Sequence, residues 1–167
     1  PVVTLVGAGG IGKTALASCI ARTLSTHGDG SVHFVELASS TSHEAVIATL
    51  AMTLQADPSQ AMRDARSLLS GLGAERAFLV LDNAEHVIDS VAGIVEALVS
   101  GSNTLSVLVT SREPLSIRGE AVVRIEPLAV PPCDASAEEI PAFGAVEMFL
   151  LRARNFAPSC AGDVASV

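Results

Sequence analysis

The sequence predicts an α/β protein: a parallel five-stranded sheet with helices on both faces, followed by the start of a C-terminal helical segment. Three observations carry that expectation. Short apolar runs alternate with amphipathic stretches through residues 1–126, and strands that alternate with helices build parallel sheets. Central runs such as Ala77-Phe78-Leu79-Val80-Leu81 are continuously apolar, as strands buried on both faces are. The first run, Val2-Val3-Thr4-Leu5-Val6, stops at a glycine-rich turn that leads directly into a helical pattern.

Each element follows from local pattern. Residues 13–26 carry Leu16, Ile20 and Leu24 at four-residue spacing, a helix with one apolar stripe, and His27-Gly28-Asp29-Gly30 breaks it. Residues 32–37 read as the second strand. Helices are expected over 44–54 and 59–69, separated by Asp57-Pro58. The third strand spans 77–81, and a helix over 84–99 turns Ile88, Val91, Val95 and Leu98 inward. The fourth strand is 105–109 and a shorter fifth is 122–125. From 127 to 141 four prolines fall within fifteen residues, beside Asp134, Glu138 and Glu139, which reads as a linker. Val146, Phe149, Leu150 and Ala153 then recur at helical spacing, so residues 142–167 are expected to begin a helical subdomain that the chain does not finish.

Composition narrows the function. At 167 residues the chain can bury a core of one domain. Acids outnumber bases 18 to 10, for a formal charge of −8. A duplex or membrane binder needs a basic face, so no direct nucleic-acid contact by this segment and no membrane contact are expected. Cys19, Cys133 and Cys160 are far apart, with no metal-ligand spacing, and read as thiols in a reducing cytoplasm. The histidines His27, His33, His43 and His86 form no His-x-x-x-His pair. The chain opens on Pro1 at the edge of the first apolar run and is expected to be a segment of something longer.

The glycine-rich turn is Gly7-Ala8-Gly9-Gly10-Ile11-Gly12-Lys13-Thr14. The pattern Gly-x-x-x-x-Gly-Lys-Thr arises by chance in under roughly one per cent of chains this long, and here it has the strand-before, helix-after context that its mechanism needs. Glycines let successive backbone N–H groups curl around a phosphate, and the helix start adds its unpaired N–H groups and positive dipole end. Gly7 to Thr14, with Ala15 in the first turn, are therefore the expected nucleotide contacts. Lys13 would bridge the β- and γ-phosphates, and the Thr14 hydroxyl would ligate Mg²⁺. The expected ligands are ATP or ADP with Mg²⁺. Such a loop belongs to a three-layer P-loop NTPase sandwich, with expected strand order 2-3-4-1-5.

A phosphate loop needs a carboxylate at the end of a nearby strand to hold the metal and its water. Phe78-Leu79-Val80-Leu81-Asp82 supplies one, so Asp82 is the second expected magnesium residue. The fourth strand ends Leu108-Val109-Thr110-Ser111-Arg112. It would lie between the strands carrying the loop and Asp82, which puts Arg112 within reach of the γ-phosphate as a sensor of ATP against ADP.

Together with Leu79-Val80-Leu81-Asp82-Asn83, Leu108 to Leu115 and Ile125-Glu126-Pro127-Leu128, the loop resembles the nucleotide-binding domain of STAND-class (NB-ARC-like) signalling ATPases. Asp82-Asn83-Ala84-Glu85-His86 and Ala145-Val146-Glu147-Met148-Phe149 are similar to the bacterial branch found in large LuxR-type and antibiotic-pathway transcription activators. The resemblance runs from Pro1 to about Phe156. It implies a cytoplasmic switch closed by ADP and opened by ATP and an inducer, often into an oligomer. Its other partners would be domains of the same chain, and DNA binding would belong to a separate one. Two departures matter. Many relatives place a second acid directly after the Walker B aspartate, and here that position is Asn83, which cannot take a proton from water. Glu85 is the candidate substitute base. No Gly-Leu-Pro-Leu segment follows before Val167.

Slow hydrolysis is the resulting expectation. Two alternatives stand beside it: a nucleotide-binding scaffold without turnover, and a small-molecule P-loop kinase. The kinase is disfavoured because only Arg118 and Arg124 could furnish a basic lid between Leu115 and the last helix. A GTPase lacks support, since no Asn-Lys-x-Asp motif occurs.

Overall fold

In the computed structural model, which describes residues 1–28, 30–72 and 76–156, five parallel strands form one sheet. They are β1 (Val2–Val6), β2 (Ser31–Glu36), β3 (Ala77–Asp82), β4 (Leu105–Ser111) and β5 (Glu120–Arg124), in the order β2-β3-β4-β1-β5. This is the expected P-loop arrangement, with β4 between the strands that carry the loop and Asp82. The period of two in the strands sorts side chains between two cores. Leu79, Leu81, Val107 and Val109 face one cluster, whereas Val80 and Leu108 face the other. The larger cluster takes in Val46, Ile47 and Leu50 of α2 (His43–Leu54) and Val91, Ile94, Val95 and Leu98 of α4 (Ile88–Gly101). The smaller holds Ala17 and Ala21 of α1 (Lys13–His27) against Leu5 of β1.

That packing corrects the expected phase of α1. Its buried residues are Lys13, Ala17 and Ala21, while Leu16 is 40% exposed and Ile20 and Leu24 are only half-buried. Residues four apart share a helix face, so aiming Lys13 back into the loop carries Ala17 and Ala21 onto the sheet. Alanines there let the helix approach the strands closely.

Two expected helices are also interrupted. Residues 59–69 divide into α3 (Pro58–Ala61) and a 3₁₀ turn, Ala65–Gly71. The cause is a pair of local caps: Asp57 accepts from Ser59 N at 2.8 Å and Asp64 from Arg66 N at 2.9 Å, each starting a new turn. The expected helix over 84–99 begins as a separate 3₁₀ turn, Ala84–His86, because Asn83 is left-handed (φ 65°) and Val87 leaves helical geometry (φ −131°). The fifth strand starts two residues earlier than its apolar run suggests.

Residues Pro1–Ile125 form one compact unit and Glu126 opens a second. Within the second, the Ala145 N–H donates to the Ala129 carbonyl at 3.1 Å as α5 (Gly144–Phe156) begins. On α5 Val146, Leu150 and Ala153 are half-buried, but Phe149 is 69% exposed and does not share their face as expected. Cys19 and Cys133 are exposed free thiols, and Cys160 lies outside the described residues. Among the described residues no helix is long and apolar enough to cross a membrane.

Candidate nucleotide site

The carboxyl ends of β1, β3 and β4 meet at one edge of the sheet, where open α/β sheets bind ligands. The loop after β1 turns through Gly10 (φ 76°) and Gly12 (φ 103°), backbone conformations that L side chains rarely adopt. Gly12 is the N-cap of α1, no side chain caps the helix, and its first turn holds no acid. The first-turn N–H groups and the positive dipole end thus stay available to an anion. Lys13 is buried, 8% exposed, and its Nζ donates to the carbonyls of Gly7 (2.8 Å) and Ala8 (3.0 Å). The ammonium is held within the loop rather than in solvent.

The structure brings Thr14 and Asp82 together across 68 residues: the Thr14 hydroxyl donates to Asp82 Oδ1 at 3.0 Å. Asp82 is 3% exposed, and Thr110, at the end of β4, also donates its hydroxyl to Oδ1. The Thr110 oxygen in turn accepts from the Asn83 N–H at 2.9 Å. These residues fit a magnesium ion by their chemistry. Among the described residues no group of three or more His, Cys, Asp or Glu could hold a metal alone. One carboxylate and one hydroxyl suit Mg²⁺, which keeps several waters and takes other ligands from phosphates.

Arg112 and Glu85, treated separately at the level of sequence, are paired. Arg112 Nε donates to Glu85 Oε1 at 3.1 Å, with side-chain exposures of 66% and 16%. Glu85 Oε2 is buried without a partner. A methyl placed on Gly9 would lie 3.4 Å from Arg112 Nη2, so the guanidinium rests beside the loop. Glu85 sits in the 3₁₀ turn after Asp82, and that turn is tied to the strand side by His86 Nε2 donating to the Leu37 carbonyl at 3.0 Å. Sequence reasoning treated Thr110 only as part of a polar strand end. The signal for it was positional: a hydroxyl at the end of the strand flanking that of Asp82.

A separate cavity of about 500 Å³ lies at the opposite edge of the sheet, lined by Ser31, Arg76, Phe78 and Thr104 among others. It holds none of the loop, acid or arginine residues, and the converging donors rather than cavity size mark the site.

Comparison with known proteins agrees with this geometry. The AAA domain family matches residues 1–117. A Mycobacterium tuberculosis protein provisionally named as an HTH-type transcriptional regulator is 37% identical over 159 residues, covering 94% of this chain and 16% of that protein. An uncharacterized M. tuberculosis protein is 30% identical over 156 residues, covering 92% of this chain and 36% of its own length. The chain therefore spans a minor part of the curated relatives it matches. Among solved structures, Drosophila ORC bound to DNA superposes with a TM-score of 0.63 at 18% identity, covering 93% of this chain and 42% of that one. Cdc6p from Pyrobaculum aerophilum gives 0.56 at 18% identity, covering 76% and 39%. At that identity the likeness concerns the fold alone. With the family match reaching over residues 1–117 of 167, the chain belongs to the AAA domain family.

Proposed function

We propose that this chain is the ATP- and ADP-binding switch module of a larger bacterial signalling or transcription-regulating protein, of the STAND class, with slow ATP hydrolysis. The observation that carries the reading is the meeting of Lys13, Thr14 and Asp82 at one sheet edge, with Arg112 beside the loop. Lys13 and the loop from Gly7 to Thr14, with Ala15, hold the phosphates. Thr14 and Asp82 hold Mg²⁺, which would supply charge neutralisation between the phosphates. The name of the relative as an HTH-type regulator supports a regulatory output, and the net charge of −8 supports placing nucleic-acid contact in other domains. Nucleotide-dependent self-association and contacts with those domains complete the partners.

Arg112 is the sensor and Glu85 the candidate base. Arg112 is 66% exposed and holds Glu85 through one contact, so it can turn to a γ-phosphate, and the mostly buried Glu85 carboxylate it leaves sets a cost on that exchange. Asn83, directly after Asp82, offers no base, which favours slow turnover and, as a second reading, a scaffold with none.

Phosphate release from ATP tests this. The wild-type chain should turn over well below the enzyme median of about ten per second. Asn83→Asp should raise the rate, since Asp tolerates the left-handed backbone at this position. ATP binding with no detectable release in either protein would favour the scaffold. Rapid wild-type release that Glu85→Gln abolishes would contradict slow turnover and put the base at Glu85.

A further inference from the structure

We propose that Thr110 is a positioning residue for the magnesium-binding carboxylate, setting how strongly Mg²⁺ enhances ATP binding. This rests on the ATP and Mg²⁺ reading of the site. Backbone pairing between β3 and β4 ends at Leu81↔Val109, whereas β2 continues alongside β3 to Glu36↔Asp82. On its β4 side, Asp82 therefore lies just past the last ladder pair. The Thr110 side chain takes up that place: its hydroxyl donates to Asp82 Oδ1 and accepts from the Asn83 N–H at 2.9 Å. Thr110 is 1% exposed, so neither bond is exchanged freely with water.

Both bonds bear on the site. The first fixes the carboxylate in the orientation that also receives the Thr14 hydroxyl on the same oxygen, at 3.0 Å. With its proton committed to Asp82, Thr14 keeps its oxygen lone pairs for a cation. The second bond holds the left-handed backbone of Asn83, and so the start of the turn that carries Glu85. A threonine that only filled space at the strand end would need its methyl and not its hydroxyl. The neighbouring buried Ser111 shows the contrast, since its hydroxyl accepts from Glu113 N at 3.3 Å and is turned to its own loop.

The test is calorimetric titration of ATP, with Mg²⁺ and with EDTA, into the wild-type chain, Thr110→Val and Thr110→Ser. Val keeps the shape and removes the hydroxyl; Ser keeps the hydroxyl. Wild type should bind ATP more tightly with Mg²⁺. Thr110→Val should lose about tenfold of that gain, the scale of one hydrogen bond to a charged group, with Mg²⁺-free affinity preserved. Thr110→Ser should keep the gain. Should the valine protein fail to unfold cooperatively, Thr110→Ala removes the same hydroxyl without placing a methyl against the carboxylate. An unchanged Mg²⁺ gain in the Val or Ala protein overturns the proposal alone. Equal losses in Val and Ser, with and without Mg²⁺, also overturn it by making Thr110 a packing residue. A wild-type chain whose ATP binding ignores Mg²⁺ overturns the metal-site reading and the role of Thr110 with it.

Discussion

Lys13→Ala is expected to weaken ATP binding by one to two orders of magnitude. A hydrogen bond to a charged group is worth about 1.5–3 kcal/mol, and each 1.4 kcal/mol is a factor of about ten. Lys13 is the basic group inside the loop, buried and fixed by the Gly7 and Ala8 carbonyls. Its ammonium is thus already desolvated and placed before a phosphate arrives. The fold should survive, because the sheet and both cores lie outside the loop. With neither Trp nor Tyr in the chain, calorimetry or a labelled nucleotide is the practical assay. Unchanged affinity in a folded mutant would exclude the loop as the phosphate site.

Gly71→Ala should markedly destabilise the fold without touching the site. A Cβ at Gly71 would fall 1.9 Å from the Leu54 carbonyl oxygen and 2.8 Å from its carbon. Both are backbone atoms at the end of α2, where Leu54 itself is buried, so no side chain can swing aside. Overpacking of this kind costs about 1–3 kcal/mol and sometimes more, or roughly 2–4 °C of thermal midpoint per kcal/mol in a chain of this size. Gly93→Ala on α4 is the control: nothing lies within 4 Å of the added carbon, and alanine favours a helix interior over glycine by about 0.5–1 kcal/mol. Thermal unfolding of both proteins checks the pair. A Gly71→Ala protein as stable as wild type would mean that α2 and the 3₁₀ turn separate more easily than their packing implies.

The parts of this protein that were legible in the sequence are those where one residue type at one spacing answers one physical need. The loop motif, the acid closing an apolar strand, and the alternation of strands with helices led to the observed strand order. What escaped depended on atoms brought together from a distance. Arg112 and Glu85 are 27 residues apart, and neither alone implies the other. Thr110 meets Asp82 only through strand register. The phase of α1 was misjudged because Leu16 suits an apolar stripe, yet the demand that Lys13 face the loop decides which face is buried. The breaks at Asp64 and Val87 arise from a side-chain cap and from Val87 leaving helical geometry, signals too local for apolar periodicity to register.

The central claim is that this chain reads the γ-phosphate. A single charge-assisted contact supplies up to about 3 kcal/mol, while swinging a two-state equilibrium from 1:99 to 99:1 takes roughly 5.5 kcal/mol. Arg112 must therefore act together with Lys13, Thr14 and the proposed magnesium site. The most direct measurement is calorimetric titration of ATP and of ADP, each with Mg²⁺, into the wild-type chain and Arg112→Ala. One site per chain is expected, with Arg112→Ala losing affinity for ATP while its affinity for ADP stays nearly that of wild type. Equal losses for the two nucleotides, or a wild-type chain that binds neither, would contradict it.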